Sequence, residues 1–241
     1  MKITHATWEL RNLGVDVYEV KVESSDTVKT LSKKSHLFES DYTVIKVPVA
    51  MTDVSFYLQA QGYLFIETIT SCYHPGQLPV ISILQKRMIN SICCLKMNSK
   101  EYEYMASEIR GGMFRDDRVS LDPNFTEEQS NKRYLGWVSD ELERKSQFYV
   151  LTYRDKSVGF FILRNKEPGV CFASLGGIYP SFQRYGFGFT LNYYQIYESI
   201  KHKVRKIESS FSSNNRGASS IHLLIGYILK EQYYVFVKHK S

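Results

Sequence analysis

The stretch Ile178-Tyr179-Pro180-Ser181-Phe182-Gln183-Arg184-Tyr185-Gly186-Phe187-Gly188 constrains this chain more than any other. Three β-prone runs lead into it, at 148–154, 158–165 and 170–179. Asp155-Lys156-Ser157 and Lys166-Glu167-Pro168-Gly169 separate them and have the length of hairpin connections. A helical run follows, from Phe187 to about Lys203. A strand therefore ends, the chain turns, and two glycines open a helix. Unpaired amides and the positive end of the dipole at such a start favour an anion. Gly186 and Gly188 let the main chain approach phosphate with no side chain between, and Arg184 adds charge. A diphosphate fits that geometry. The plainer alternative is a glycine-rich turn that only packs helix on strand.

Two familiar nucleotide patterns fit poorly. A dinucleotide fingerprint needs a third glycine where Leu191 stands, and roughly fifty residues remain for the rest of a doubly wound sheet. A phosphate-binding Walker loop is absent, because no Gly-Lys-Ser/Thr follows.

The flanking sequence predicts a mixed α/β chain. Residues 15–22 alternate as a half-buried strand, 26–36 are weakly helical, and 42–47 read as a second strand. Asp53 is placed to cap a helix ending before Gly62, and 63–71 is β-rich. His74-Pro75-Gly76-Gln77-Leu78-Pro79 is the best linker, giving a small α/β domain at 1–78 and a second domain at 79–241. Residues 81–97 are β-prone but ambiguous, and 99–109 look helical. A loop at 110–125 leads to Thr126-Glu127-Glu128-Gln129, which has capping-box spacing and opens a helix to about Arg144. A strand at 206–212, a helix at 216–225 and a strand at 233–238 complete the chain.

Composition limits the function classes. With 241 residues and 43% apolar content, the chain can bury a real core. No apolar run approaches the ~20 residues of a membrane span, and the first residues lack a secretion signal, so a cytoplasmic protein without a membrane partner is expected. Lys and Arg exceed Asp and Glu by 31 to 25, but no basic block marks a nucleic-acid polymer as partner. Cys72, Cys93, Cys94 and Cys171 lack zinc-site spacing, so no metal is expected and the thiols read as buried and reduced.

Gln183-Arg184-Tyr185-Gly186-Phe187-Gly188 matches the Q/R-x-x-G-x-G/A motif of the GCN5-related N-acetyltransferase superfamily, with its strand before and its helix after. Asn215-Arg216-Gly217-Ala218, His222 and Gly226-Tyr227 resemble that superfamily's N-x-x-A-x-x-x-Y-x-x-x-G-F segment. The resemblance spans about 81–240. It implies a largely antiparallel central sheet with two splayed parallel strands. Short matches elsewhere extend a likeness to the dTDP-fucosamine acetyltransferase subfamily: Trp8-Glu9, Leu13-Gly14-Val15, 58–63, Phe114-Arg115, Asp122-Pro123, Tyr134 and Trp137. That subfamily carries a small α/β domain before its acetyltransferase domain.

The resemblance implies acetyl-CoA, or another acyl-CoA, as co-substrate, lying between strands at about 175–179 and 206–211. Its pyrophosphate would meet Gln183, Arg184, Tyr185, Gly186, Phe187 and Gly188, main-chain amides near Ile178 would hold the pantetheine and acyl oxygen, and Asn215 would bond the arm. Gly176-Gly177 suits a bulged strand exposing such an amide. His222 stands where the family usually has a tyrosine that protonates the leaving thiolate; an imidazole suits that role near neutrality. The alternative is a histidine edging the stripe of Ala218, Ile221 and Ile225. Arg115 and Arg118, with Tyr134 and Trp137, suit phosphate and ring recognition of a nucleotide-linked amino deoxysugar. The alternative is a surface loop of Arg–Asp pairs with two core aromatics. A protein, peptide or other small amine as acceptor, a binding module without turnover, and a homodimer stay open.

Overall fold

The structure is a computed structural model that describes residues 1–240. The first part comprises β1 (Lys2–His5), α1 (Thr7–Leu13), β2 (Val17–Lys21), α2 (Val28–Lys34), β3 (Tyr42–Pro48), α3 (Thr52–Ala60) and β4 (Leu64–His74). Strand β1 and helix α1, with no sequence signal of their own, precede the alternating run. Thr27 and Thr30 open α2 with a reciprocal capping box. Asp53 does not cap α3. Met51 occupies that position, and Asp53 lies in the first turn, where its charge opposes the helix dipole favourably.

The second part comprises α4 (Ile83–Asn90), β5 (Cys93–Lys96), α5 (Ser99–Arg110), α6 (Glu127–Glu143), β6 (Gln147–Tyr153), β7 (Lys156–Glu167) and β8 (Val170–Ile178). Then come α7 (Gly188–Lys201), β9 (Lys206–Ser212), α8 (Arg216–Ile225) and β10 (Ile228–His239). The ambiguous 81–97 run divides into a helix and an edge strand, because Ser82 and Gln85 form a capping box that commits the first half to α4. The expected capping box at Thr126 and Gln129 opens α6.

All strands join one sheet in the order β1-β2-β3-β10-β4-β9-β8-β7-β6-β5. Among the described residues only β2–β3 and β8–β9 pair in parallel, so the sheet is mixed and mostly antiparallel. Strand β4 lies between β10 and β9, antiparallel to both. The sheet thus runs unbroken across the expected boundary at 78, and a strand from the first part fills a slot inside the second.

Two layers of side chains cover the sheet. On one face α4, α7 and α8 pack through Ile89, Phe189, Ile196 and Ile225 on Phe161 and Ile207. On the other, α5 and α6 pack through Met105, Ile109 and Val138 on Phe160 and Ile162. Cys72 and Cys171 are buried as expected, whereas Cys93 on the edge strand is exposed. No helix among the described residues is long and apolar enough to cross a membrane.

Candidate active site

Strands β8 and β9 pair only at Val170–Lys206, Cys171–Ile207 and Phe172–Glu208. Beyond that point β8 follows β7 to Ile178 while β9 follows β4 to Ser212, so two parallel strands separate into a fork. A bulge in β8 accompanies the separation. Ile162 faces Leu175 and Leu163 faces Ala173, leaving Ser174 without a counterpart, and an extra residue of this kind bends a strand. The bulge therefore falls at Ser174, ahead of the glycines expected to make it. Gly176 and Gly177 instead permit close packing. A Cβ on Gly177 would stand 2.6 Å from Met113 Cε, and one on Gly176 would stand 3.0 Å from the Phe160 carbonyl.

The turn after β8 has the local shape the sequence requires. Pro180–Tyr185 form a 3-10 turn, Gly186 is left-handed at φ 77°, and α7 begins at Gly188. Leu191 N donates to Phe187 O at 2.9 Å. The amides of Gly188, Phe189 and Thr190 therefore precede the first full helical bond and have no intrahelical acceptor. Gln183, Arg184, Tyr185 and Gly186 are exposed at this end. Gln183 Nε2 donates to the Ile178 carbonyl at 3.4 Å, tying the turn back to the tip of β8. Gly188 faces α8, where a Cβ would lie 3.8 Å from Ile221.

Helix α8 closes the same side of the fork. Asn215 caps it by accepting the Ala218 amide at 2.9 Å on Oδ1, which leaves Nδ2 as a donor. His222 is 8% exposed and lies beneath β9 among Phe211 and Tyr227. Its Nδ1 lies 2.8 Å from the Ala218 carbonyl and its Nε2 lies 3.2 Å from Ser209 Oγ. A carbonyl only accepts, so Nδ1 carries a proton; the single Ser209 hydroxyl proton is shared between Nε2 and the Ala173 carbonyl at 3.5 Å, and a neutral ring would take it on Nε2. Burial holds the imidazole pKa below its ordinary value, against the opposing effect of the bond to Ala218.

The residues expected to bind the acceptor do not share one surface. Arg118 is buried, and its Nη2 pairs with Glu19 at 2.5 Å and approaches Glu9 at 3.8 Å. Carboxylates of the first part thus occupy the guanidinium that phosphate recognition would require. Tyr134 is buried and stacks on Phe114 with centroids 4.6 Å apart, and Trp137 packs edge-on against Tyr134 at 5.1 Å. Arg115 is the exposed member, at 68%, and bonds Glu127 at 2.9 Å and the Gly112 carbonyl at 2.9 Å.

Three residues at the fork were not singled out from the sequence. Ser209 sits between His222 and the Ala173 carbonyl. Ser212 ends the free arm of β9 opposite Ile69 of β4, two residues along that strand from Glu67. One signal could have marked Glu67, since it is the sole acidic residue in the run 63–74. Among the described residues, no group of three His, Cys, Asp or Glu side chains is arranged to hold a metal ion.

No protein-family profile matches the sequence, and no curated protein matches it. Solved structures do match the fold. A GCN5-related N-acetyltransferase from Sphaerobacter thermophilus superposes with a TM-score of 0.62 at 14% identity, covering 99% of this chain and 75% of that one. A GCN5-related N-acetyltransferase from Kribbella flavida gives 0.52 at 13% identity, covering 94% and 82%. The glucosamine N-acetyltransferase region of a fungal multi-domain β-N-acetylglucosaminidase gives 0.63 at 12% identity, covering 92% of this chain and 30% of that one. The chain has the fold of the GCN5-related N-acetyltransferases.

Proposed function

We propose that this chain is an acyl-CoA-dependent N-acyltransferase, acetyl being the first acyl group to test and a nucleotide-linked amino deoxysugar the first acceptor. One observation carries the reading: the β8–β9 fork opens directly beside the Gly186–Gly188 turn. An extended thioester can lie across a gap in a sheet only where two strands stop pairing. Its diphosphate needs donors at one end of that gap, and the free amides at the start of α7 supply them beside Arg184. In this reading Asn215 Nδ2 would bond the arm, and the edge of β8 near Ile178 that β9 leaves unpaired supports it. The thioester supplies an activated acyl carbon, and the protein's task is to hold it, bring the amine to it and assist the sulfur's departure.

In this reading His222 is the candidate acid. As a neutral ring it has its one proton on Nδ1, bonded to Ala218, so it can give a proton toward the fork only after gaining one at Nε2. Ser209 then links it to the fork. The amino-sugar acceptor rests on the scattered sequence matches, and the shared fold of the glucosamine N-acetyltransferase region supports testing that class. Within the proposed acceptor set, only exposed Arg115 stays placed for a phosphate, exchanging its bond to Glu127.

Calorimetry with acetyl-CoA tests the first half of the reading, and thiol release with dTDP-linked amino sugars, glucosamine and simple amines tests the second. Ligand at a hundredfold excess over its dissociation constant stabilises the fold by about 2.7 kcal/mol. Arg184→Glu should weaken binding. Absence of any interaction with acetyl-CoA sinks the proposal, and binding without thiol release to any amine leaves a binding module.

A further inference from the structure

Acidic residues avoid the surface around the Gly186–Gly188 turn. Runs 68–100, 168–197 and 209–230 contain no Asp or Glu, yet carry Lys86, Arg87, Arg184 and Arg216 among their basic residues. These runs meet at the turn. Met88 of α4 lies 3.3 Å from the place of a Gly186 Cβ, and Ile221 of α8 lies 3.8 Å from that of Gly188. Tyr194 of α7 donates to the Ile92 carbonyl at 2.8 Å, which holds the end of α4 against α7. All four cations are exposed, and among the described residues none pairs with a carboxylate. The turn between β6 and β7 reaches the same end, where Tyr153 packs on Phe187 at 5.2 Å. Its one acid, Asp155, stands between Arg154 and Lys156.

The two helices that flank the turn also expose aliphatic side chains. Ile83 and Leu84 of α4, with Leu223 and Leu224 of α8, are 54–75% exposed. Ile89, His222 and Ile225 are the buried residues of these helices, so the four aliphatics lie on the outward faces. On α8 the exposed positions recur at Arg216, Ser220, Leu223 and Leu224, a helical stripe that joins a cation to apolar surface. A free coenzyme accounts for cations beside its phosphates but not for outward-facing leucines. Apolar surface edged by polar groups marks a docking face. A second copy of this chain would set like charges against each other. A membrane lying here would close the end of the fork through which the thioester arm enters. An acidic protein suits the charge, and one that brings its own arm keeps that entrance in use.

We propose that this face docks an acidic carrier protein that presents the acyl group on a phosphopantetheine arm. That donor deepens the acyltransferase reading, on which it rests. The arm ends in the same thioester as acetyl-CoA, and its phosphodiester meets the free amides at the start of α7. Lys86, Arg87 and Arg216 face the carrier's carboxylates and speed its encounter. Ile83, Leu84, Leu223 and Leu224 seat against its apolar side chains and slow its departure.

The test measures binding of three probes to the full chain: acetyl-CoA, free acetyl-phosphopantetheine, and a bacterial acyl carrier protein bearing the acetylated arm. The carrier should bind about tenfold tighter than the free arm, or better, and more weakly as salt rises. A variant with Leu84→Gln and Leu224→Gln should lose about tenfold in carrier affinity and keep its acetyl-CoA affinity. Arg87→Gln should flatten the salt dependence of carrier binding. A carrier that binds no tighter than its arm overturns the docking and leaves the acyl-CoA reading standing. So does unchanged carrier affinity in the leucine variant. An equal loss for carrier and acetyl-CoA in that variant also overturns it, because the leucines would then only hold the helices in place. Sedimentation with phosphatidylserine vesicles tests the rival surface. Vesicle binding that the leucine variant loses, without carrier binding, makes this a membrane face and overturns the docking. A wild-type protein that binds none of the three probes removes the acyltransferase reading, and the docking with it.

Discussion

Arg133 Nε donates to Glu9 Oε1 at 2.8 Å, and side-chain exposure is 2% and 1% respectively. The contact joins α6 to α1 across 124 residues of sequence. Arg133 also donates from Nη1 to Asp117 at 2.6 Å, and its guanidinium lies 4.1 Å from the Trp137 ring centroid. The first part of the chain is therefore fastened to the second by buried charges as well as by the continuous sheet.

Removing one partner of a buried pair leaves the other charge uncompensated, which typically costs about 3–5 kcal/mol. Arg133→Met should accordingly lower the urea midpoint substantially, with one cooperative transition retained. A change of a few tenths of a kcal/mol, about the size of a surface substitution, would show that the contact fastens nothing.

Gly186 and Gly188 make separable predictions. Gly186 is left-handed, and a Cβ there would lie 3.3 Å from Met88 Cε. Gly186→Ala incurs backbone strain of about 1–2 kcal/mol. If the turn relaxes to relieve it, acetyl-CoA affinity should fall about tenfold, the equivalent of 1.4 kcal/mol. Gly188 has ordinary φ, and its Cβ would meet Ile221 at 3.8 Å, so Gly188→Ala should preserve both stability and affinity. Calorimetry on the two variants decides the matter, and equal losses would contradict this account of the turn.

His222 should leave a signature in stability against pH. Its folded pKa is lowered by burial, so the native state binds this proton less readily than the unfolded chain does. Stability rises with pH where the unfolded state holds more protons. The contribution is therefore intact above the unfolded value of about 6.5 and is lost as pH falls below it toward the folded value. His74, also held low by burial, adds to the same slope. Chemical denaturation of His222→Gln should show a shallower decline on acidification than wild type; an identical slope would mean that the ring is charged in the fold.

What could be read from the sequence was what is encoded locally. The Gln183–Gly188 turn, the capping box at Thr126 and the strand at 206–212 each follow from a few adjacent residues, and the structure has them where expected. The place of β4 could not be read in this way. Its partners in β9 and β10 lie about 140–170 residues away, and no local pattern selects a slot in a sheet. The same limit explains Arg118, Tyr134 and Trp137. Their types suit a ligand, but Glu9 and Glu19, brought in by α1 and β2, enclose Arg118, while the two aromatics pack with Phe114.

Glu67 should give stability the opposite pH dependence from His222. Its carboxyl pKa is raised in the fold, chiefly by burial, so the native state holds that proton more tightly than the unfolded chain. Stability from this group is complete below the unfolded value of about 4.3 and is lost as pH climbs through the folded value. Above the folded value the ionised carboxylate weakens the fold. Glu67→Gln removes the charge and keeps the shape, so its thermal midpoint should exceed that of wild type increasingly as pH climbs through that value. The stabilisation should shrink toward zero as pH is lowered to the range where wild-type Glu67 is already protonated. Scanning calorimetry across that range gives the answer. A variant less stable than wild type across the whole range would mean that Arg118 depends on the Glu67 charge, leaving the carboxylate as a structural counter-ion of that guanidinium.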